Sequence, residues 1–413
     1  MTPLFLNNRP IRLLCGLLFL GMVSGLQPGV PQGLALSTLS DLPPAGSTGG
    51  AGAPSPQRLV GFYASWSAYG PLQVSAVQAE RLTHVAYAFA SIGAHDEPVL
   101  TDADVDRPNI AQLAALKRKY PHLTVMLAVG GAGAGSRRFS EMARTAAGRQ
   151  RFAAACARFL YQTYPASFDG LTLDWEYPQG DGDAVPGRSD DRQHFTALLA
   201  DVRARLDRDG RRSGKRAPLA AALPAGMQQL KRYELARIGP YLDYIDLMTF
   251  DYASGSAKTG HNAPLYASGP QSESTDRSVQ ALTRAGIPAA KINIAFPFFG
   301  HAWQGVRLGT ALGLGQTGRT DHGEFTYGTI TKRYLPGPFQ RHWDPVGRVP
   351  FLVGSDSRAT AGRKWISYDD AQSLAQKGAY IRQHGLGGAF IWHLGADDPG
   401  GTLLKAAWAN IRP

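Results

Sequence analysis

The sequence predicts a closed (β/α)8 TIM barrel, of α/β class, with an α+β insertion between its seventh and eighth strands. Three observations lead there: short β-rich apolar runs recur from residue 58 onward, amphipathic helical stretches separate them, and one interval is too long and irregular for a single helix. The runs are Leu59–Ala64, His84–Ala90, Thr124–Val129, Gly170–Asp174, Leu219–Ala222, Ile245–Thr249, Ile292–Phe296 and Gly388–Trp392. Helical patterns such as Asp191–Asp207 and Asp369–His384 lie between them. Apolar strands alternating with helices indicate a parallel sheet covered on its outer face, and a set of eight fits a closed barrel better than an open sheet. The long interval, about 303–365, reads as the inserted subdomain. A chain of 413 residues is ample for one such domain, and no internal repeat or further module is legible.

The N-terminus reads as a targeting segment. Arg9 and Arg12 precede the apolar run Leu13–Val23, which is too short to cross a bilayer comfortably, and small residues follow. Residues 1–25 are therefore expected to be a signal peptide, with cleavage as late as residue 35. Residues 26–57, rich in Pro, Gly, Ser and Ala, read as a linker ahead of a folded domain at 58–413. Cys15 lies at the front of the apolar run, which argues against a lipid anchor, so the expectation is a secreted monomer free of the membrane once the signal is removed. Cys156 would then be the one remaining cysteine, and its helical context reads as buried core rather than as part of a disulfide framework.

The formal net charge of +11 is diffuse. Its densest stretch, Arg203–Arg216, is interrupted by Asp207 and Asp209 and has no interleaved aromatics, so a nucleic-acid interface is not expected. The excess charge suits adhesion to anionic cell envelopes. The histidines show no metal-ligand spacing, and neither a metal nor another cofactor is implied.

The most informative stretch is Phe168–Pro178, which reads as a buried strand ending in two acids. Side chains alternate faces along a strand, so Thr172, Asp174 and Glu176 point one way while Leu171, Leu173 and Trp175 point the other. Two positions advance the chain by roughly 6–7 Å, which lets both carboxyls address one small volume. Acids on an otherwise apolar strand are costly to bury without a partner or a task. Catalytic residues of barrels sit where strands end, and Asp174, Glu176, Asp251 and Trp392 all fall there. Taken singly, each has a blander reading: a capped strand end for the acid pair, an ion-pair partner for Asp251, core for Trp392 and Met248.

Asp169-Gly170-Leu171-Thr172-Leu173-Asp174-Trp175-Glu176 resembles the Asp-x-x-Asp-x-Asp-x-Glu signature of family 18 glycoside hydrolases, the chitinases and their relatives. The resemblance extends in order through Val60–Tyr63, Val85–Phe89, Ala128–Gly131, Met248–Asp251, Thr259–Leu265, Trp365–Asp370 and Leu386–Trp392. The inserted region, with Tyr327 and Trp343, resembles the insertion domain of deep-cleft chitinases. The resemblance implies chitin or chitooligosaccharides as substrate, an endo-type cut favoured with exo action left open, and a retaining mechanism in which the N-acetyl oxygen of the substrate attacks the anomeric carbon. It further implies Glu176 as general acid/base, Asp174 as the group orienting the acetamide and raising the pKa of Glu176, and Asp251 as a hydrogen-bonding partner near the acetyl group. Trp392 would be the hydrophobic floor with Met248 beside it, Phe250, Thr172 and Tyr177 would add to the substrate-binding set, and Trp66, Trp303 and Trp343 are candidate stacking platforms.

This chain departs from the pattern at several points. Thr172 stands where the family has its middle Asp, and Phe62 and Ala128 replace a Tyr and a Ser that bond that Asp. Buried hydroxyls left without a partner would cost stability, so the three polar groups are read as exchanged together, with the Thr172 hydroxyl as the remaining contact for Asp174 and a shifted pH profile as the consequence. Phe250, Phe299 and His301 replace a Tyr, a Tyr and an Arg. Two alternatives stay open: a catalytically silent chitin-binding lectin, and a glycosidase acting on another N-acetylated glycan.

Overall fold

The computed structural model describes residues 57–70, 72–181, 185–355 and 363–411. The expected signal peptide, and all of the expected linker but Gln57, lie outside them. Among the described residues, no helix is long and apolar enough to cross a membrane.

Eight parallel strands close into a barrel: Arg58–Ala64, His84–Ile92, Thr124–Gly131, Gly170–Trp175, Leu219–Pro224, Tyr244–Met248, Ile292–Pro297 and Gly388–Trp392. Each pairs with the next, and the eighth pairs with the first through Arg58↔Gly388 to Gly61↔Ile391, which completes the circle. All eight sequence-predicted runs coincide with these strands to within two residues.

Strand alternation sorts the barrel side chains into two sets. Outward residues, among them Leu171, Leu173, Ile245 and Ile391, pack against the surrounding helices in one large core. Inward residues form a second cluster that includes Phe62, Ala86, Ala88, Ala128, Ala220, Ala222, Tyr244, Met248 and Phe390. The many inward alanines leave room for the larger inward groups on the fourth and sixth strands. Trp175 faces out, stacked on Phe139 at 5.2 Å and buried, and this fixes its neighbour Asp174 on the inner face. Cys156 is buried in the helix Ala146–Arg158.

Between the seventh and eighth strands a five-stranded antiparallel sheet is inserted, in the order Arg319–Asp321, His301–Val306, Arg363–Ser367, Val349–Gly354, Phe339–Asp344. Trp303 and Trp365 are paired in register and pack with Val306, Phe351 and Val353 as a small core of their own. His261 ties the loop after the sixth strand to this sheet, its Nε2 lying 2.8 Å from Asp344 Oδ2.

Candidate active site

The third and fourth strands bring the two acids into place. Gly130 pairs with Asp174 at φ +118°, and a Cβ there would lie 2.0 Å from the Asp174 carbonyl oxygen. Only glycine permits that approach. The same glycine-rich turn delivers Ser136, whose hydroxyl donates to the carbonyls of Gly131 and Asp174 and accepts from the Glu176 N–H at 2.8 Å. Tyr233 adds a bond from its hydroxyl to the Trp175 carbonyl. The backbone from Asp174 to Glu176 is thereby held on both sides.

Glu176 leaves the strand end and opens onto a cleft of about 230 Å³ lined also by Tyr177, Gly226, Gln229, Met248, Phe250, Asp251, Tyr252 and Glu273. Its carboxyl is pushed up to about 7, first by removal from water and then by the charges of Asp251 and Asp181, while a bond to the Tyr177 hydroxyl opposes the shift. Asp174 is fully enclosed, and burial, followed by the charges of Glu176 and Asp246, holds its carboxyl well above the ordinary range. Glu176 and Asp174 are close enough for the charge of one to raise the other, and the charge of Asp251 adds to the rise of Glu176.

Asp251 sits just past the sixth strand at φ +61°, its N–H donating to Asn262 Oδ1 at 2.9 Å. Its Oδ1 lies 2.6 Å from His301 Nε2 at the first residue of the inserted sheet. Trp392 is half-buried at the end of the eighth strand, with the rings of Phe62, Phe89 and Trp66 at 5.8, 5.7 and 6.3 Å. Phe250 packs edge-on to Phe299 at 5.4 Å, so two adjacent aromatics lack hydroxyls together.

A raised acid, a second carboxyl and the rings of Tyr177, Phe250 and Tyr252 thus share one cleft where the strands of the barrel end. A profile of glycosyl hydrolases family 18 matches residues 58–397. The chain belongs to family 18. It is similar to chitotriosidase-1 of Mus musculus, at 34% identity over 86% of this chain and 75% of that protein. It is similar to chitinase A1 of Niallia circulans, at 33% identity over 82% of this chain, and spans 56% of that relative's length. Among solved structures, a family 18 N-acetylglucosaminidase from Paenibacillus barengoltzii superposes with a TM-score of 0.76 at 31% identity, covering 86% of this chain and 99% of that one.

Of the residues singled out in the sequence, the cleft brings together Glu176, Asp251, Met248, Phe250 and Tyr177, with Asp174 enclosed beside Glu176 and Trp392 and Trp66 in contact with each other at the end of the eighth strand. Two expectations fail. Trp303 is 0% exposed, and its Nε1 donates to the Ser256 carbonyl at 2.9 Å, so it fastens the insertion to the loop after the sixth strand and cannot stack on a ligand. The Thr172 hydroxyl makes no bond to Asp174. It lies beside the Tyr244 hydroxyl, with which it makes no well-formed bond, because inward side chains on the fourth and sixth strands meet across the small Ala220.

Ser136 was missed because a serine in a glycine-rich turn carries no motif. Asp246 was missed although its signal was present: in the sixth run it shares the inward face with Met248, an acid where burial is complete. Asp190, Asp191 and His194 bring ligand atoms within 4.8 Å of one another, but Asp191 is already engaged by Ser140 and the N–H groups of Gln179 and Arg188. A larger hollow of about 450 Å³ lies on the helical shell, where Asp106 accepts from Tyr87 and Glu97 from the His95 N–H, so its acids serve local structure.

Proposed function

We propose that this chain is a secreted chitinase that hydrolyses β-1,4-linked N-acetylglucosamine polymers with retention of configuration, through participation of the substrate's acetamide. The observation that carries the reading is Glu176: a carboxyl held neutral to about pH 7 at the wall of a cleft shared with Asp251. It donates its proton to the glycosidic oxygen as the bond to the leaving sugar breaks. The acetamide oxygen of the sugar that stays bound closes on the anomeric carbon, forming an oxazolinium-like ring. Asp174 steadies the positive charge that develops on the acetamide nitrogen. The resulting Glu176 carboxylate then takes a proton from water as it opens the ring from the side the leaving group vacated. Trp392, braced by Phe62 and Phe89, forms the floor under the reacting sugar.

Chitohexaose digested with wild type and with Glu176→Gln, followed by anomer-resolved NMR, tests this. Wild type is expected to release β-anomers first and the variant to release negligible product. Equal and negligible release from both would overturn the enzymatic reading and favour the lectin. A second reading, removal of single terminal sugars, draws support from the likeness to the Paenibacillus barengoltzii N-acetylglucosaminidase. Monomer-only release from chitohexaose would select it over internal cleavage.

A further inference from the structure

The barrel interior holds an acid that this mechanism leaves idle. Asp246 lies in the sixth strand and is completely buried. Its Oδ1 accepts from Asn293 Nδ2 at 2.9 Å, while its Oδ2 has no hydrogen-bond partner among the described residues. Asp174 Oδ1 is in the same condition. A buried carboxylate oxygen without a donor is costly when charged, so each of these acids gains from keeping a proton.

Register relates the two. Thr172 is paired with Ala220, and Ala220 with Tyr244. One inward step further along the same strands come Asp174, Ala222 and Asp246, with Ala222 paired to Asp246. Both carboxyls therefore enter the barrel at one level, two strands apart, with the methyl group of Ala222 between their strands. Thr172 and Tyr244 occupy the level beneath them.

The other groups acting on Asp246 are Arg58 and Tyr244, with His84 in contact with the Tyr244 ring. Arg58 on the first strand donates through Nε to Asn293 Oδ1 at 3.2 Å and lies with its guanidinium 5.1 Å from the centre of the Tyr244 ring. His84 on the second strand meets that ring edge-on at 5.5 Å, and burial pulls its pKa down to about 4, so it is neutral at working pH. Tyr244 on the sixth strand is held protonated by burial. Arg58 and Asn293 favour the anion at 246 and burial opposes it, leaving Asp246 at about 7.

We propose that Asp246 is a positioning residue that takes over the part of an inner acid behind Asp174, the two carboxyls ionising as a pair that carries one negative charge at a time. Two acids facing one enclosed space lose their protons in separate steps, because the first charge raises the energy of the second. Where that single charge rests decides whether Asp174 can meet a cationic acetamide nitrogen, and in this the inference rests on the role proposed for Asp174 above. Thr172 leaves its own position without a carboxyl, and Asp246 supplies one from two strands away.

Infrared difference titration of the free protein reads the buried carboxyls without any turnover, and the pH profiles of kcat and KM on chitohexaose read their consequence. Asp246→Asn keeps the oxygen that accepts from Asn293. It is expected to move the ionisation of Asp174 to lower pH by about one unit, to carry the acidic limb of kcat the same way, and to leave KM within about twofold. Asn293→Val, which removes the donor that favours the anion at 246, is expected to raise the ionisation of Asp246 and lower that of Asp174. An Asp174 titration untouched in both variants, with any loss of activity uniform across pH, would overturn the proposal. A protein that shows the coupled titration yet releases no product would instead overturn only the chitinase reading.

Discussion

Asp174 and Asp246 lie inside the closed barrel, whereas Glu176 and Asp251 open on its rim, and the same functional group behaves differently in the two places. Inside, desolvation dominates and donors are scarce, so Asp174 is held well above the ordinary carboxylate range and Asp246 at about 7. At the rim, Asp251 is half-exposed, lies 2.6 Å from His301, and adds its charge to the causes that raise Glu176. Depth in the barrel decides which of the four acids can reach a ligand: Glu176 and Asp251 line the cleft, while Asp174 and Asp246 are enclosed.

The largest effect should come from the rim acid. Glu176→Gln is expected to lower kcat by about 10²–10⁴-fold, the usual range for loss of a positioned proton donor, with a smaller change in KM. Wild-type activity should fall as pH rises through about 7, because there Glu176 loses the proton it must donate. Above that point the competent fraction drops about tenfold per pH unit. A flat alkaline profile to pH 9 would break the assignment of this limb to Glu176.

Two tryptophans sharpen the comparison between a site wall and a structural seam. Trp303→Ala empties a sealed pocket in the inserted sheet and is expected to destabilise the protein by about 3–5 kcal/mol, as large-to-small changes of buried aromatics do. A lower midpoint in urea unfolding, with KM unchanged for the folded fraction, would agree. A raised KM with no loss of stability would return Trp303 to the list of sugar contacts.

Removal of charge at the rim should act on pH rather than on fold. In Asp251→Asn the nearby anion is gone, so the pKa of Glu176 falls and the alkaline limb moves to lower pH, by about one unit or less. Profiles of kcat from pH 4 to 9 would read the shift, and a limb that stays or moves upward would show that burial alone holds the proton on Glu176.

How much of this was legible in the sequence depends on the range of the physics involved. The eight strands were readable because runs such as Leu219–Ala222 are buried on both faces and stand out from their helical surroundings. Glu176 and Asp174 were readable because period-two alternation acts within one strand. The neighbour of the Thr172 hydroxyl was not readable, because Tyr244 comes from a strand some seventy positions away and approaches only across the small Ala220. Trp303 looked like a platform because sequence shows an aromatic near a site and says nothing of which side of a sheet it covers.

The smallest effect completes the contrast. Trp66 is 48% exposed and leans on Trp392 and Phe89 at 6.3 and 6.5 Å, so one part of the indole is braced and another is free. A braced but open ring can stack on a pyranose without the entropy loss a mobile one would suffer. An aromatic contact of this kind contributes about 1 kcal/mol, or roughly fivefold in affinity. Trp66→Ala is therefore expected to raise KM on chitohexaose about fivefold, to leave KM on chitobiose nearly unchanged if the ring serves a sugar beyond the cleavage point, and to shift stability by no more than about 0.5 kcal/mol, as surface changes do. Equal losses on both substrates would place the ring under the reacting sugar together with Trp392, and a loss of stability with no change in KM would make it a brace for Trp392 alone.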